Sequence, residues 1–91
     1  MENPFIERYK YVRAEDVNAA LIKQFRKDLG ISQIEFAKYI GVSLGTVSTW
    51  ETRSSMSQAA RVLIAGVMRR SEKILEARAS LLTAFEQLRA K

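Results

Sequence analysis

Residues 31 to 53, ISQIEFAKYIGVSLGTVSTWETR, constrain the fold more than any other stretch of the chain. Ser32 is placed to accept from the Glu35 backbone N–H while the Glu35 side chain reaches back to the Ser32 N–H, a capping box that starts a helix. Ile31 and Phe36 flank this cap as a hydrophobic staple. Phe36, Ala37 and Ile40 then recur at helical spacing on one face, with Gln33 beside them and Lys38 turned outward. Gly41 follows the last periodic residue, where the absence of a Cβ lets the backbone turn left-handed at little cost. Two residues on, Ser43 is a second N-cap, with Val42 and Val47 in the staple positions around it. The expected product is two short helices joined by a tight turn.

In the second of these helices Val47 and Trp50 face inward, which leaves Leu44, Gly45, Ser48, Thr49 and Thr52 on the outer face. A helix that needs only to be soluble carries Lys and Glu there. A small, uncharged face points instead to a surface that something else approaches closely. The plainer alternative is a helical hairpin with no binding role.

Upstream, residues 1 to 14 form an N-terminal arm with the chain's single proline, at position 4. Within it Phe5, Tyr9 and Tyr11 interleave with Arg8, Lys10 and Arg13. Three readings stand: a short strand over Arg8 to Val12, a basic arm that orders on DNA, or aromatic packing onto the helical body. From about Glu15 a helix is expected, with Glu15 and Asp16 complementing the dipole of its first turn. Leu21, Ile22, Phe25 and Leu29 are its inward stripe, Lys23, Gln24 and Lys27 its outward side, and Gly30 its C-terminal cap.

Downstream, Ser54 to Ser57 read as a loop, and Ser57 caps a helix that is apolar nearly all round, from Ala59 to Met68. Such a helix is expected to be buried centrally, with Gly66 permitting close approach by a neighbour. Residues 71 to 91 are more clearly amphipathic. Ile74, Ala77, Leu81, Ala84, Phe85 and Leu88 line one face, widened by Leu75 and Leu82, and Glu72, Glu76, Arg78 and Glu86 populate the other.

Ninety-one residues at 47% hydrophobic content fit one small domain with little surplus stability. Cysteine and histidine are both absent, which removes thiol chemistry, disulfides, most transition-metal sites and the commonest general base. No Gly-rich phosphate loop is present. The reading is a non-enzyme with no cofactor and no metal. Fifteen Lys and Arg against ten Asp and Glu, a net charge of +5, favour a polyanionic partner. No apolar run is long enough to span a bilayer and no secretory h-region is seen, so the expected compartment is the cytoplasm, with nucleoid association when bound to DNA.

The stretch from about Leu21 to about Ile64 resembles the Cro/cI-type, XRE-like helix-turn-helix family of DNA-binding proteins. LGISQ at Leu29 to Gln33, FA at Phe36 and Ala37, IGVS at Ile40 to Ser43 and TVSTWE at Thr46 to Glu51 carry the resemblance. It implies an all-α, compact bundle of about five helices around a central helix-turn-helix over residues 15 to 70, with the arm before it and residues 71 to 91 added after it. It also implies that Gln33 contacts a phosphate and that early residues of the second motif helix enter the major groove. The sequence departs from the family where Leu44, Gly45 and Thr49 stand in place of the usual Arg or Gln. Thr52 and Arg53 stand where a Gly soon follows Trp-Glu, and Met56 replaces the usual proline.

The expectation is therefore a sequence-specific transcriptional regulator, a dimeric repressor reading a palindromic operator in double-stranded DNA. Ser43, Leu44, Gly45, Ser48 and Thr49 are the candidate base contacts. Gln33, Lys38 and Arg53 are the candidate phosphate contacts. Ile74, Leu81, Phe85 and Leu88 are the candidate homodimer interface. Two other readings remain open: an antitoxin of a toxin–antitoxin module that also regulates its own operon, and a helical interaction module or membrane-surface protein.

Overall fold

The computed structural model describes residues 4–89, leaving the side chains of residues 4–6 and 85 outside the description. Six α-helices follow one another: α1 (Pro4–Tyr9), α2 (Ala19–Leu29), α3 (Gln33–Ile40), α4 (Leu44–Arg53), α5 (Gln58–Arg69) and α6 (Ser71–Arg89). A single 3-10 turn, Ala14–Asp16, lies between α1 and α2. The architecture is the all-α bundle expected, with no strand among the described residues.

The N-terminal arm is a helix rather than a strand. Proline is tolerated at a helix start because its missing N–H would have no intrahelical partner there. What fixes α1 is Tyr9, fully buried, whose ring meets Phe25 edge-on with centroids 4.8 Å apart. Phe25 in turn meets Phe36 at 5.9 Å, so three aromatics run from α1 through α2 to α3. The Tyr9 hydroxyl donates to Asp28, which also accepts from Arg8 and Gln24. Burial, and then the Asp28 carboxylate, push the Tyr9 phenol well above its ordinary pKa. Of the three readings of the arm, aromatic packing onto the body holds for Tyr9, while Tyr11 stays 75% exposed.

Glu15 and Asp16 do not open α2. They sit in the 3-10 turn, held by Arg13, and Val17 then runs extended into the core. Burying Val17 breaks the helix, and Asn18 restarts it by accepting from the Leu21 N–H at 2.8 Å. Ile22, Phe25 and Leu29 are buried as the pattern predicts, and Gly30 closes α2 at φ 69°.

Helix α5 is not buried all round. Ile64, Ala65 and Met68 face the core, but Val62 and Leu63 are about half exposed. Gly66 makes no close helix contact either, since a Cβ built there would meet only the far end of the Arg69 side chain. Helix α6 starts within the body, where Ile74 is buried, and Arg78 ties it down by pairing with Glu35 at 3.2 Å and donating to the Leu29 carbonyl. Beyond that point, every described side chain from Ala79 to Arg89 is exposed. The molecule accordingly extends 47 Å along its longest axis against 18 Å along its shortest. No helix among the described residues is long and apolar enough to cross a membrane.

Candidate nucleic-acid interface

The helix pair α3–α4 is built as the local signals require. Ser32 Oγ accepts from the Glu35 N–H at 3.1 Å, Gly41 takes φ 89°, and Ser43 Oγ accepts from the Thr46 N–H at 3.2 Å. The first cap differs in one respect. The Glu35 side chain turns to Arg78 of α6 instead of back to the Ser32 N–H, so the capping box is half made. Ile31, Phe36, Val47 and Trp50 are buried and bind both helices to the core.

A further residue, Glu51, fixes α4, and the periodicity gave no hint of it. Its side chain is only 3% exposed, and both carboxylate oxygens accept from Arg26 of α2, Nε at 2.7 Å and Nη2 at 2.8 Å. Arg26 also donates to the Ile31 carbonyl, so one guanidinium joins α2, the α2–α3 connection and α4. The hydrogen bonds to Glu51 raise the Arg26 pKa despite partial burial. The only sequence clue is a charged pair separated by 25 residues, one of many such pairs in the chain.

The far end of α4 has its own solution to the missing glycine. Ser54 caps the helix in the left-handed region at φ 53°, an uncommon conformation for a residue with a Cβ. Its hydroxyl accepts from the Ala19 N–H at 3.0 Å, at the start of α2. The C-terminal half of α4 is therefore anchored to α2 twice, through Glu51 on Arg26 and through Ser54 on the Ala19 N–H.

So held, α4 turns Leu44, Gly45, Ser48, Thr49 and Thr52 outward, all of them exposed, and Ser43 stands exposed at its head. The threonine hydroxyls are not idle: Thr49 Oγ1 donates to the Gly45 carbonyl at 3.0 Å and Thr52 Oγ1 to that of Ser48 at 2.8 Å. Among the candidate phosphate contacts, Lys38 and Arg53 are exposed and have no acidic partner among the described residues, while Gln33 at the head of α3 is half-buried. Elsewhere Arg8, Lys10, Arg13, Arg26, Lys73 and Arg78 are in ion pairs. Of the candidate dimer residues, Ile74 lies inside the protomer at 7% exposure, whereas Leu81 and Leu88 are 59% and 68% exposed. The side chain of Phe85 lies outside the described ones.

Two short helices joined at a left-handed glycine, the second anchored to α2 through Glu51 and Ser54 and bare on its outer side, define a helix-turn-helix DNA-binding domain. Residues 22–65, from α2 into α5, match a helix-turn-helix family model. The match supports a helix-turn-helix domain of the Cro/cI-type, XRE-like family over these residues. That is a family of DNA-binding transcription regulators. Comparison with curated proteins and with solved structures gave no significant match.

Proposed function

We propose that the protein is a dimeric repressor that binds a palindromic operator, with α4 in the major groove and Ser43, Leu44, Gly45, Ser48 and Thr49 against the bases. Gln33, Lys38 and Arg53 contact phosphates on either side. The observation that carries this reading is the outer face of α4, exposed and free of long charged side chains on a helix held rigidly by Arg26 and Ser54. Rigid presentation of a small-residue face lets the helix backbone lie close to the base edges, and unpaired cations beside it supply the sequence-independent attraction.

Pairing is assigned to the free part of α6. Leu81, Leu82 and Leu88 are each more than half exposed on the outer part of α6, and burying them against a second copy would stabilise a small domain. A two-fold dimer also places two recognition helices about 34 Å apart, one turn of DNA. The protein would act in the cytoplasm on the nucleoid. The antitoxin reading uses the same DNA-binding face and gives this tail of α6 to a toxin instead.

Selection of bound sequences from random duplex DNA, followed by footprinting and sedimentation equilibrium, tests the proposal. A two-fold symmetric footprint and a dimer that the Leu81→Asp, Leu88→Asp variant converts to a folded monomer are expected. A monomer without DNA at tens of micromolar, or an asymmetric site, counts against the repressor reading and favours a different partner for α6.

A further inference from the structure

We infer that α4 reads A·T-rich half-sites, with thymine methyl groups as its main base contacts and guanine disfavoured on the contacted strand. This rests on the placement of α4 in the major groove proposed above and says what it recognises there.

The argument is an inventory of hydrogen-bond donors. Guanine shows the major groove two acceptors side by side, N7 and O6, and is matched by a side chain with two N–H donors. No residue from Leu44 to Thr52 on the outer face of α4 carries such a group. The hydroxyl hydrogens are also largely committed. Thr49 and Thr52 each donate their only one to a carbonyl of their own helix, so outward they show oxygen lone pairs and a methyl group. The Ser43 and Thr46 oxygens, 2.9 Å apart, share one hydrogen between them. What remains is the Ser48 hydroxyl and one hydrogen of the Ser43–Thr46 pair, single donors that do not span N7 and O6.

A surface of lone pairs and methyl groups complements a different base pair. Adenine offers its N6–H to a lone pair, and thymine offers its C5 methyl to hydrocarbon. Leu44 and the Thr49 methyl supply that hydrocarbon, about 7.5 Å apart along the helix axis. Guanine in the same place would turn its acceptors toward acceptors and hydrocarbon, losing hydration without recovering a hydrogen bond.

Gly45 lies between them and adds an independent reason. Its φ is not left-handed, and a Cβ built on it would meet nothing nearer than Ser43 Oγ at 3.9 Å. Nothing inside the protein therefore requires glycine at a position where glycine weakens a helix. The bare backbone leaves room for a thymine methyl between Leu44 and Thr49.

The test uses the full chain and the duplex recovered by selection, with binding read by fluorescence anisotropy. In one duplex every thymine of the half-sites is replaced by deoxyuridine, which removes only the methyl. In another every guanine is replaced by 7-deazaguanine, which removes the N7 acceptor. Burial of one methyl corresponds to about a fourfold effect, and at least two are contacted in each half-site. Deoxyuridine should weaken binding at least about fifteenfold, and 7-deazaguanine by less than about twofold. Thr49→Ser should lose part of the deoxyuridine effect, whereas Thr49→Val should keep it. Sequence-specific binding that is indifferent to deoxyuridine, or that is weakened more by 7-deazaguanine, overturns the inference while leaving the regulator reading intact. Absence of any sequence preference removes both.

Discussion

Replacing Glu51 by Gln or Leu should unfold this protein more readily than any single change on its surface, and the Arg26–Glu51 geometry sets the size of the effect. The two bonds of 2.7 and 2.8 Å are charge-assisted and bidentate, with the carboxylate 3% exposed and the guanidinium 21% exposed. At an effective dielectric constant of about 20, opposite charges at this separation attract by about 6 kcal/mol before desolvation is counted. Removing one partner leaves the other charge half-buried without compensation, which typically costs about 3 to 5 kcal/mol. The partial exposure of Arg26 lets water return to its guanidinium, so the lower end, about 3 kcal/mol, is expected. A chain of this size has about 5 to 14 kcal/mol in total, so the loss is a large fraction of it. In thermal terms it is a fall of about 12 to 24 °C. The Arg26→Met, Glu51→Leu double variant removes both charges and should recover most of the loss, short by about 1 kcal/mol for the Ile31 carbonyl that Arg26 no longer serves. Urea denaturation of the parent, both single variants and the double variant gives the coupling energy directly. A Glu51→Leu cost below about 1 kcal/mol, or a double variant as unstable as the summed singles, would refute this account of how α4 is held.

Gly45→Ala should act in opposite directions on two measurements, raising stability by about 0.5 to 1 kcal/mol in urea melts while weakening operator affinity in anisotropy titrations. An affinity left unchanged would mean that the backbone there does not approach DNA. Ser54→Ala should be less stable than Ser54→Gly in calorimetry, because alanine loses the Ala19 bond and keeps the left-handed strain whereas glycine relieves that strain. Lys38 and Arg53 from two subunits neutralise about four phosphates, so log K should fall against log salt with a slope of about −4, and Arg53→Gln should make it shallower by about 2.

The parts of the fold legible in the sequence are those whose causes are local. Gly30 and Gly41 end their helices left-handed, Ser32, Ser43 and Ser57 cap theirs, and Val47 and Trp50 turn inward as spacing alone requires. The outer face of α4 follows once the inner face is fixed. What escaped depends on partners distant in the chain. Tyr9 makes α1 a packed helix only because Phe25 and Asp28 receive it, and an aromatic–basic alternation looks equally like a strand. Glu51 reads as a surface residue until Arg26 is seen beside it. Ser54 replaces a glycine because its hydroxyl finds the start of α2, a contact across 35 residues. Helix α5 shows the limit of composition, since an almost wholly apolar helix still leaves Val62 and Leu63 half exposed where the small domain has nothing to cover them.

The central claim is that the outer face of α4 meets double-stranded DNA. Amide and methyl NMR shifts of the labelled protein, titrated with the selected duplex, measure this residue by residue. The account predicts the largest changes at Ser43, Leu44, Gly45, Ser48 and Thr49, smaller ones at Gln33, Lys38 and Arg53, and little change on the exposed side of α5 at Val62 and Leu63. Tight binding that leaves Leu44 to Thr49 unshifted while moving another surface would contradict it.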